Sequence, residues 1–417
     1  MAVYIAAIMG RTSFGVAGVD AIDRFGIDAS RMAVFTAVQL GVYALAQIPT
    51  GILIDRFGPR TMLAIGALIM AIGQVILGLT TSYGIAISAR VLIGAGDATA
   101  FLSVMRLLPY WFPLHRTPMF TQVTSALGQV GQFLSAVPFL WLLGVSGWTT
   151  AFVSLGAVGL LIAIAAAVAI KDSPEKAGVY GTIDPDAKSV EPSLSLGQQM
   201  ALVFRSPSAW QAFFIHFSLL SPQLTFTMLW GVPLMTLGMG LTNATAGMVL
   251  TVSAIFLVFM GPLHGRISSR AGSYRDLIAV GFALIHILAW VWLLTPSSPR
   301  GAWAMFVLVF ILALCSPAAN YGFDTVRESM DRRIVATATG LGNMGGFSAG
   351  MLMSQLFGMS LDYSSEGKNY QWPDFGFAGL VILGIWAFGI TAILLLHFLG
   401  RGRREGTARN RLETIPD

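Results

Sequence analysis

Charge is scarce in this chain. Only 11% of its 417 residues are Asp, Glu, Lys or Arg, while 55% are hydrophobic and the mean hydropathy is +0.73. Soluble globular proteins carry about a quarter charged residues, so a soluble enzyme is excluded. There is one cysteine, Cys315, inside an apolar run. It excludes an intrachain disulfide and leaves the redox compartment open. Also missing are a glycine-rich nucleotide loop ending in Lys-Ser/Thr, a Cys/His metal cluster and a Ser-His-Asp order. ATP-driven, metal-dependent and hydrolytic readings therefore have no residue support, and neither a cofactor nor enzymatic activity is expected.

What the chain does have is long apolar stretches. They run over about 2–22, 31–54, 61–81, 84–110, 117–143, 148–170, 209–237, 244–265, 276–295, 301–323, 335–358 and 375–399. A bilayer core of about 30 Å needs roughly 20 apolar residues per helix, so each of the twelve is long enough to span. Strands of a membrane barrel would instead show about ten residues of alternating pattern. The 46 glycines fit close helix approach in a bilayer. The expected fold is an all-α membrane protein with twelve transmembrane helices in two six-helix bundles. The bundles cover 1–170 and 209–399, with a polar linker at 171–208 and a tail at 400–417. Within the linker, Leu194 to Phe204 fits either a short amphipathic helix or a plain solvated loop.

Lys and Arg set the orientation, because positive charge is retained on the cytoplasmic side. With the N-terminus inside, 19 of the 25 fall on cytoplasmic loops, adjoining span ends or the tail, and four, Arg24, Arg31, Arg300 and Lys368, fall outside. Arg11 and Arg90 lie within spans. Both termini are expected in the cytoplasm. The net charge of +5 then reflects membrane topology, and no nucleic-acid partner is expected. No cleavable signal peptide is visible; the first stretch begins abruptly at residue 2, which leaves residues upstream an open question.

Two turns repeat. Gly51-Ile-Leu-Ile-Asp55-Arg56-Phe-Gly58-Pro-Arg60 follows the second stretch, and a weaker copy, Gly265-Arg-Ile-Ser-Ser269-Arg270-Ala-Gly272, follows the eighth, 214 residues later. Glycines permit the reversal, and Asp55 is suited to face a helix N-terminus or a neighbouring arginine. Ser269 stands where the first copy has Asp55, so the second latch is expected to be weaker.

Ionisable residues at membrane depth are costly and by default functional. Arg11 lies in the first stretch, after Gly10, and Asp97 lies in the fourth, in Arg90-Val-Leu-Ile-Gly94-Ala-Gly96-Asp97. The separation of seven puts Arg90 and Asp97 on one helical face about 10.5 Å apart along the axis, out of direct contact. Arg11 has no adjacent carboxylate in the sequence and is expected to be a lone mid-membrane cation, unless it meets Asp97 across the interior. His216, Gln223, Thr227 and Trp230 read as one stripe of the seventh stretch, suited to line a pore or to bond between helices. Asn320, Asp324 and Arg327 form a similar set in the tenth, read as a gate or a solvated end. His286 reads as structural.

The first charged turn closely resembles the signature loop of the major facilitator superfamily, and the two-halves layout extends that resemblance over almost the whole chain. It implies a pseudo-symmetric alternating-access transporter with its site near the bilayer midplane between the halves. Gln47-Ile-Pro-Thr-Gly51-Ile-Leu-Ile-Asp55-Arg-Phe-Gly58, together with Pro109-Tyr-Trp111-Phe112-Pro113, looks like the anion:cation symporter group of sugar-acid carriers. By that resemblance Arg11 matches the anion-binding arginine, Arg90 the coupling arginine and Asp97 the protonatable carboxylate. Gly10 replaces a first-span aspartate of the group and removes one proton site. Trp148-Thr-Thr-Ala-Phe152 and Lys171-Asp-Ser-Pro-Glu-Lys-Ala-Gly178 look instead like organophosphate/phosphate antiporters, but the seventh stretch has no second arginine. Gly340-Leu-Gly342-Asn343-Met-Gly345-Gly346 is similar to nitrate carriers. The fifth stretch lacks the Gly-Pro-x-x-Gly-Gly segment usual in drug antiporters, which favours import.

The resemblance implies an inner-membrane, proton-coupled carrier of a small organic anion, a carboxylate, acting as a monomer in the lipid bilayer. Its expected binding residues are Arg11, Tyr4, Gln223, Thr227, Trp230 and Asn343. Asp97 and Arg90 are expected to couple the proton, and Gly51, Asp55, Arg56, Gly58, Arg60 and Arg270 to gate. The alternatives are an organophosphate or inorganic anion exchanger, a metabolite or drug exporter, and a membrane sensor that binds without transporting.

Overall fold

The computed structural model describes residues 1–27, 29–178, 194–366 and 370–412. Most of the expected linker, with Lys188, and the outer-loop Lys368 lie outside the described residues. Among the described residues there is no strand, and all twelve apolar stretches are helical. The helices are α1 (Ala2–Val16), α2 (Gly18–Phe25), α3 (Ala29–Phe57), α4 (Pro59–Leu79), α5 (Tyr83–Trp111), α6 (Thr117–Leu134) and α7 (Leu140–Ala169). They continue as α8 (Leu196–Phe204), α9 (Pro207–Thr225), α10 (Asn243–Ala271), α11 (Arg275–Leu294), α12 (Gly301–Cys315), α13 (Tyr321–Ser329), α14 (Val335–Ser365) and α15 (Trp372–Leu412). Of the two alternatives for Leu194 to Phe204, the helix α8 is the one formed.

Among the described residues, seven helical runs are each long and apolar enough to cross a membrane. Two of them, Leu114–Ala169 and Ala244–Leu294, are 56 and 51 residues long, and each holds two of the expected crossings. The stretches at 2–22, 209–237 and 335–358 are helical but do not qualify alone. The first is split at Ala17 into α1 and α2. The second departs from α geometry in π turns at Phe226–Trp230 and Leu234–Gly238. The third is rich in glycine, threonine and serine. These are also the stretches that carry Arg11, Gln223 and Asn343.

The chain forms two compact units. The first comprises Met1–Val203 and Met330–Gly340, and the second Phe204–Ser329 and Leu341–Asp417. In the first, Phe14, Phe35, Trp148 and Phe152 form an aromatic core, with Phe14 and Phe35 stacked 4.4 Å apart. Trp148 donates its indole N–H to Leu77 O at 2.9 Å, so the Trp148–Phe152 motif serves packing in this unit. In the second, Phe226, Trp290, Met305, Phe357, Phe375 and Trp386 belong to one large buried cluster. Large apolar side chains also cover the outside: Leu45 is 73% and Phe259 70% exposed. Lipid tails, not water, are the solvent such a surface fits.

Close helix approach depends on small residues. At Gly96 a Cβ would stand 2.5 Å from Gly66 O and 2.6 Å from Met70 Cγ, so α4 and α5 touch backbone to backbone beside Asp97. Gly58 holds a positive φ of 84°, which lets α3 turn sharply into α4. Substituting Gly96→Ala should force α4 and α5 apart at a cost of about 1–3 kcal/mol and lower the melting temperature of the detergent-purified protein. Gly281→Ala, at a helical site with nothing within 4 Å, should leave it unchanged or raise it. Equal melting temperatures for the two variants would contradict this account of the α4–α5 contact.

Candidate functional site

The centre of the first unit is an ion pair between α1 and α5. Arg11 donates from Nε to Asp97 Oδ2 at 2.6 Å and from Nη2 to Asp97 Oδ1 at 3.0 Å. The Asp97 side chain is fully buried and that of Arg11 is 12% exposed. This two-pronged geometry matches the planar guanidinium to the carboxylate. It corrects the expectation of a lone cation: the partner carboxylate lies across the interior, 86 residues away in sequence. The guanidinium also stacks on Tyr43, with Cζ 4.4 Å from the ring centroid. Tyr4, a turn or two earlier on α1, packs against Phe101 with ring centroids 5.6 Å apart.

Arg90 is 1% exposed and is not in contact with Asp97. Its Nη2 donates to the backbone oxygen of Arg11 at a long 3.4 Å, and its Cζ lies 4.9 Å from the Phe14 ring centroid. Its Nε and Nη1 have no hydrogen-bond partner, and no carboxylate pairs with it among the described residues. On the other side of α1, Gly10 faces α4, where Gln74 Nε2 donates to Gly10 O at 3.1 Å. A Cβ at Gly10 would meet Gln74 Nε2 at 3.0 Å and Met70 Cε at 3.1 Å. A cavity of about 30 Å³ adjoins them, lined by Met9, Gly10, Met70, Gln74 and aliphatic side chains. It has room for water, not for an organic anion.

The charged turn is ordered around Asp55. Its carboxylate accepts from Ala336 N at 3.2 Å, Thr337 N at 2.9 Å and Thr337 Oγ1 at 2.7 Å, at the start of α14, and from Arg106 Nε at 3.2 Å. A negative charge at a helix N-terminus satisfies free N–H groups and complements the helix dipole. Gly51 lies against the same residues: a Cβ there would be 2.6 Å from Thr337 Cα. Arg60 bonds through Nε to Ala167 O at 2.9 Å, and its backbone N–H reaches Asp172 at 2.9 Å. Arg56 is exposed, with Cζ 5.4 Å from the ring centroid of Phe57. Arg270 is exposed in the second copy.

In the second unit the candidate residues are dispersed. His216 Nδ1 is 3.3 Å from Asn343 O, Gln223 Nε2 donates to Ser253 Oγ at 3.3 Å, and Thr227 Oγ1 donates to Gln223 O at 2.7 Å. Trp230 packs on Phe357 with ring centroids 5.4 Å apart. His216 and Gln223 lie on α9, and the π turn at Phe226–Trp230 widens the helical period at Thr227 and Trp230. Asn320, Asp324 and Arg327 are 8%, 1% and 6% exposed, which corrects the reading of a solvated end. Asp324 bonds Arg327 and Ser268, and Arg275 grips Glu328 through both Nη atoms at 2.5 and 2.7 Å. His286 stacks on Trp386 at 6.3 Å between centroids.

Sequence reasoning missed Tyr43, Gln74 and Arg106 in the first unit, and in the second His264, bonded at 2.7 Å to Tyr321 Oη and at 2.6 Å to Leu314 O. It also missed the contact of His397 Nδ1 with Asp276 Oδ2 at 2.5 Å. A polar residue amid an otherwise apolar stretch was the available signal for Gln74 and His397.

The chain has named relatives. It is 29% identical over 42% of its length to "Probable sulfoacetate transporter SauU" of Cupriavidus necator, and 26% identical over 37% to "Probable L-galactonate transporter" of Escherichia coli. These alignments span 40% and 34% of the two relatives' own lengths. Among solved structures, a variant of the E. coli fucose:proton symporter matches with a TM-score of 0.67 at 12% identity, over 95% of this chain and 97% of that one, which is a likeness of fold. The family model of the Major Facilitator Superfamily matches residues 1–354. With its helical, multi-pass architecture, the chain belongs to the Major Facilitator Superfamily.

Proposed function

We propose that this protein is a secondary active transporter that moves a small organic anion bearing a carboxylate, coupled to protons, by alternating access. The observation that carries the reading is the buried, two-pronged ion pair of Arg11 with Asp97. A guanidinium held by a carboxylate is a site where an incoming carboxylate competes for the same donors. When the anion takes Arg11, Asp97 loses its partner in a low-dielectric interior and must accept a proton or find another cation. Binding of anion and binding of proton then favour each other. The relatives named for sulfoacetate and L-galactonate, both carboxylates, support the substrate class. In this reading the protein lies in the inner membrane as a monomer with both termini in the cytoplasm, and Tyr4 adds a phenol close to the pair.

Arg11→Lys keeps a charge but loses the fork, and it should weaken anion binding about tenfold or more. Arg11→Ala should abolish binding, measured by thermal shift with sulfoacetate and galactonate. Unchanged affinity in Arg11→Ala would make the arginine structural. Asp97→Asn mimics the protonated acid. Reconstituted in proteoliposomes, it should bind the dianion sulfoacetate at least as tightly and sustain its counterflow exchange but no longer accumulate it under a pH gradient. Accumulation by this variant at the parent's level would move the coupling site elsewhere.

Asp55 is proposed to act on the conformational cycle instead of on the ligand, because its carboxylate holds backbone N–H groups at the start of α14. Asp55→Asn weakens charge-assisted bonds and should shift the accessibility of engineered cysteines between the two membrane faces while changing substrate affinity less than threefold. Identical accessibility in the variant and the parent would argue for a purely structural turn.

A further inference from the structure

The unpaired guanidinium of Arg90 gives the interior of the first unit an odd charge count. Among the described residues its mid-span charged groups are Arg11, Asp97 and Arg90. Two cations against one carboxylate leave an excess of one positive charge. Nothing nearby removes it. The Arg11 carbonyl and the Phe14 ring solvate Arg90 without neutralising it, and its Nε and Nη1 bond nothing. At Gly10, where a side chain from α1 would project, the neighbours are the neutral Gln74 amide and Met70.

The groups facing Asp97 can be named element by element. From α1 come Arg11 and, further off, Tyr4. From α3 comes Tyr43, through its stack on Arg11. The α4 residues Gly66 and Met70, against Gly96, are uncharged. From α5 itself comes Arg90. Neither tyrosine carries charge at neutral pH. The ionic balance is therefore set by the two arginines, Asp97, the ligand and the proton.

We infer that the ligand's own charge decides whether a proton enters with it: a monoanion binds with Asp97 still ionised, and a dianion binds together with one proton on Asp97. Two cations, the Asp97 carboxylate and a monoanion sum to zero. A dianion beside an ionised Asp97 leaves one excess negative charge, and a proton delivered from solvent to the Asp97 carboxylate restores zero. A unit charge off balance in this interior is worth roughly tenfold or more in binding, enough to select the balanced state. The inference rests on the reading of Arg11 as the anion site and Asp97 as the proton site. It adds to that reading a role for Arg90, which fixes the offset of one without touching the ligand.

The test uses two matched pairs of ligands, each on a shared carbon skeleton: galactonate against galactarate, and isethionate against sulfoacetate. The full-length protein is titrated with each between pH 6 and 8 at fixed ionic strength. Galactarate and sulfoacetate should bind about tenfold more weakly per pH unit of increase, because each takes up one proton. Galactonate and isethionate should show flat affinity. Arg90→Gln removes the excess charge, so galactonate should become pH-dependent, whereas galactarate, whose one proton already sits on Asp97, should keep its slope and weaken at least tenfold overall. A loss of fold in Arg90→Gln would change none of the parent's slopes, which carry the test by themselves. Equal pH slopes for monoanion and dianion in the parent, or failure of both pairs to bind, would overturn the inference. Equal slopes combined with loss of binding in Arg11→Ala would overturn the charge count alone. Binding indifferent to Arg11→Ala would remove the reading beneath it.

Discussion

The structure of the first unit turns on one constraint: the fully buried carboxylate of Asp97 must be met by a cation. Arg11 and Asp97 meet it by reaching across from α1 to α5, and the surrounding helices are arranged so that they can. Gly96, the residue before Asp97, lets α4 lie directly against α5. Tyr43 covers the outer face of the guanidinium. Gln74 closes the flank of α1 at Gly10.

The second unit is built differently. One ionic set lies where α10, α11 and α13 meet and links Ser268, Asp324, Arg327, Arg275 and Glu328. The side chains along α9 are polar but neutral and bond mainly to their own unit. The two units thus share a helical plan and differ in where charge is placed.

The helices were legible in the sequence because the bilayer imposes a length and an apolarity that few other folds require, and all twelve stretches are helical. Arg11, Asp97 and Arg90 were legible as candidates because a charged residue in an apolar run is conspicuous. Their pairing was not. Spacing along α5 separates Arg90 from Asp97 correctly, but the partner of Asp97 lies on another helix, and its rotation about that helix axis is fixed by packing at Gly10, Gly96 and Met70. The π turn that holds Thr227 and Trp230 was not legible for a related reason. A π turn inserts a residue into the period, and composition alone does not mark where backbone hydrogen bonds slip from one pattern to the other. Asp324 and Arg327 were placed at a solvated end because they are charged; their burial reflects partners from α10, which sequence distance concealed.

Asp55 has a consequence for biosynthesis. Its carboxylate is satisfied by N–H groups at Ala336 and Thr337, and residues 330–340 belong to the first unit although about 280 residues of chain separate them from Asp55. During vectorial synthesis the helices of the first unit emerge and insert long before that segment exists. Until it arrives, Asp55 has Arg106 but lacks its backbone donors, and the groove beside Gly51 stays open. The first unit is therefore a nascent intermediate that only a late piece of the chain completes. A chain stopped before residue 330 would hold ten of the twelve apolar stretches and still leave the Asp55 carboxylate without these two backbone donors.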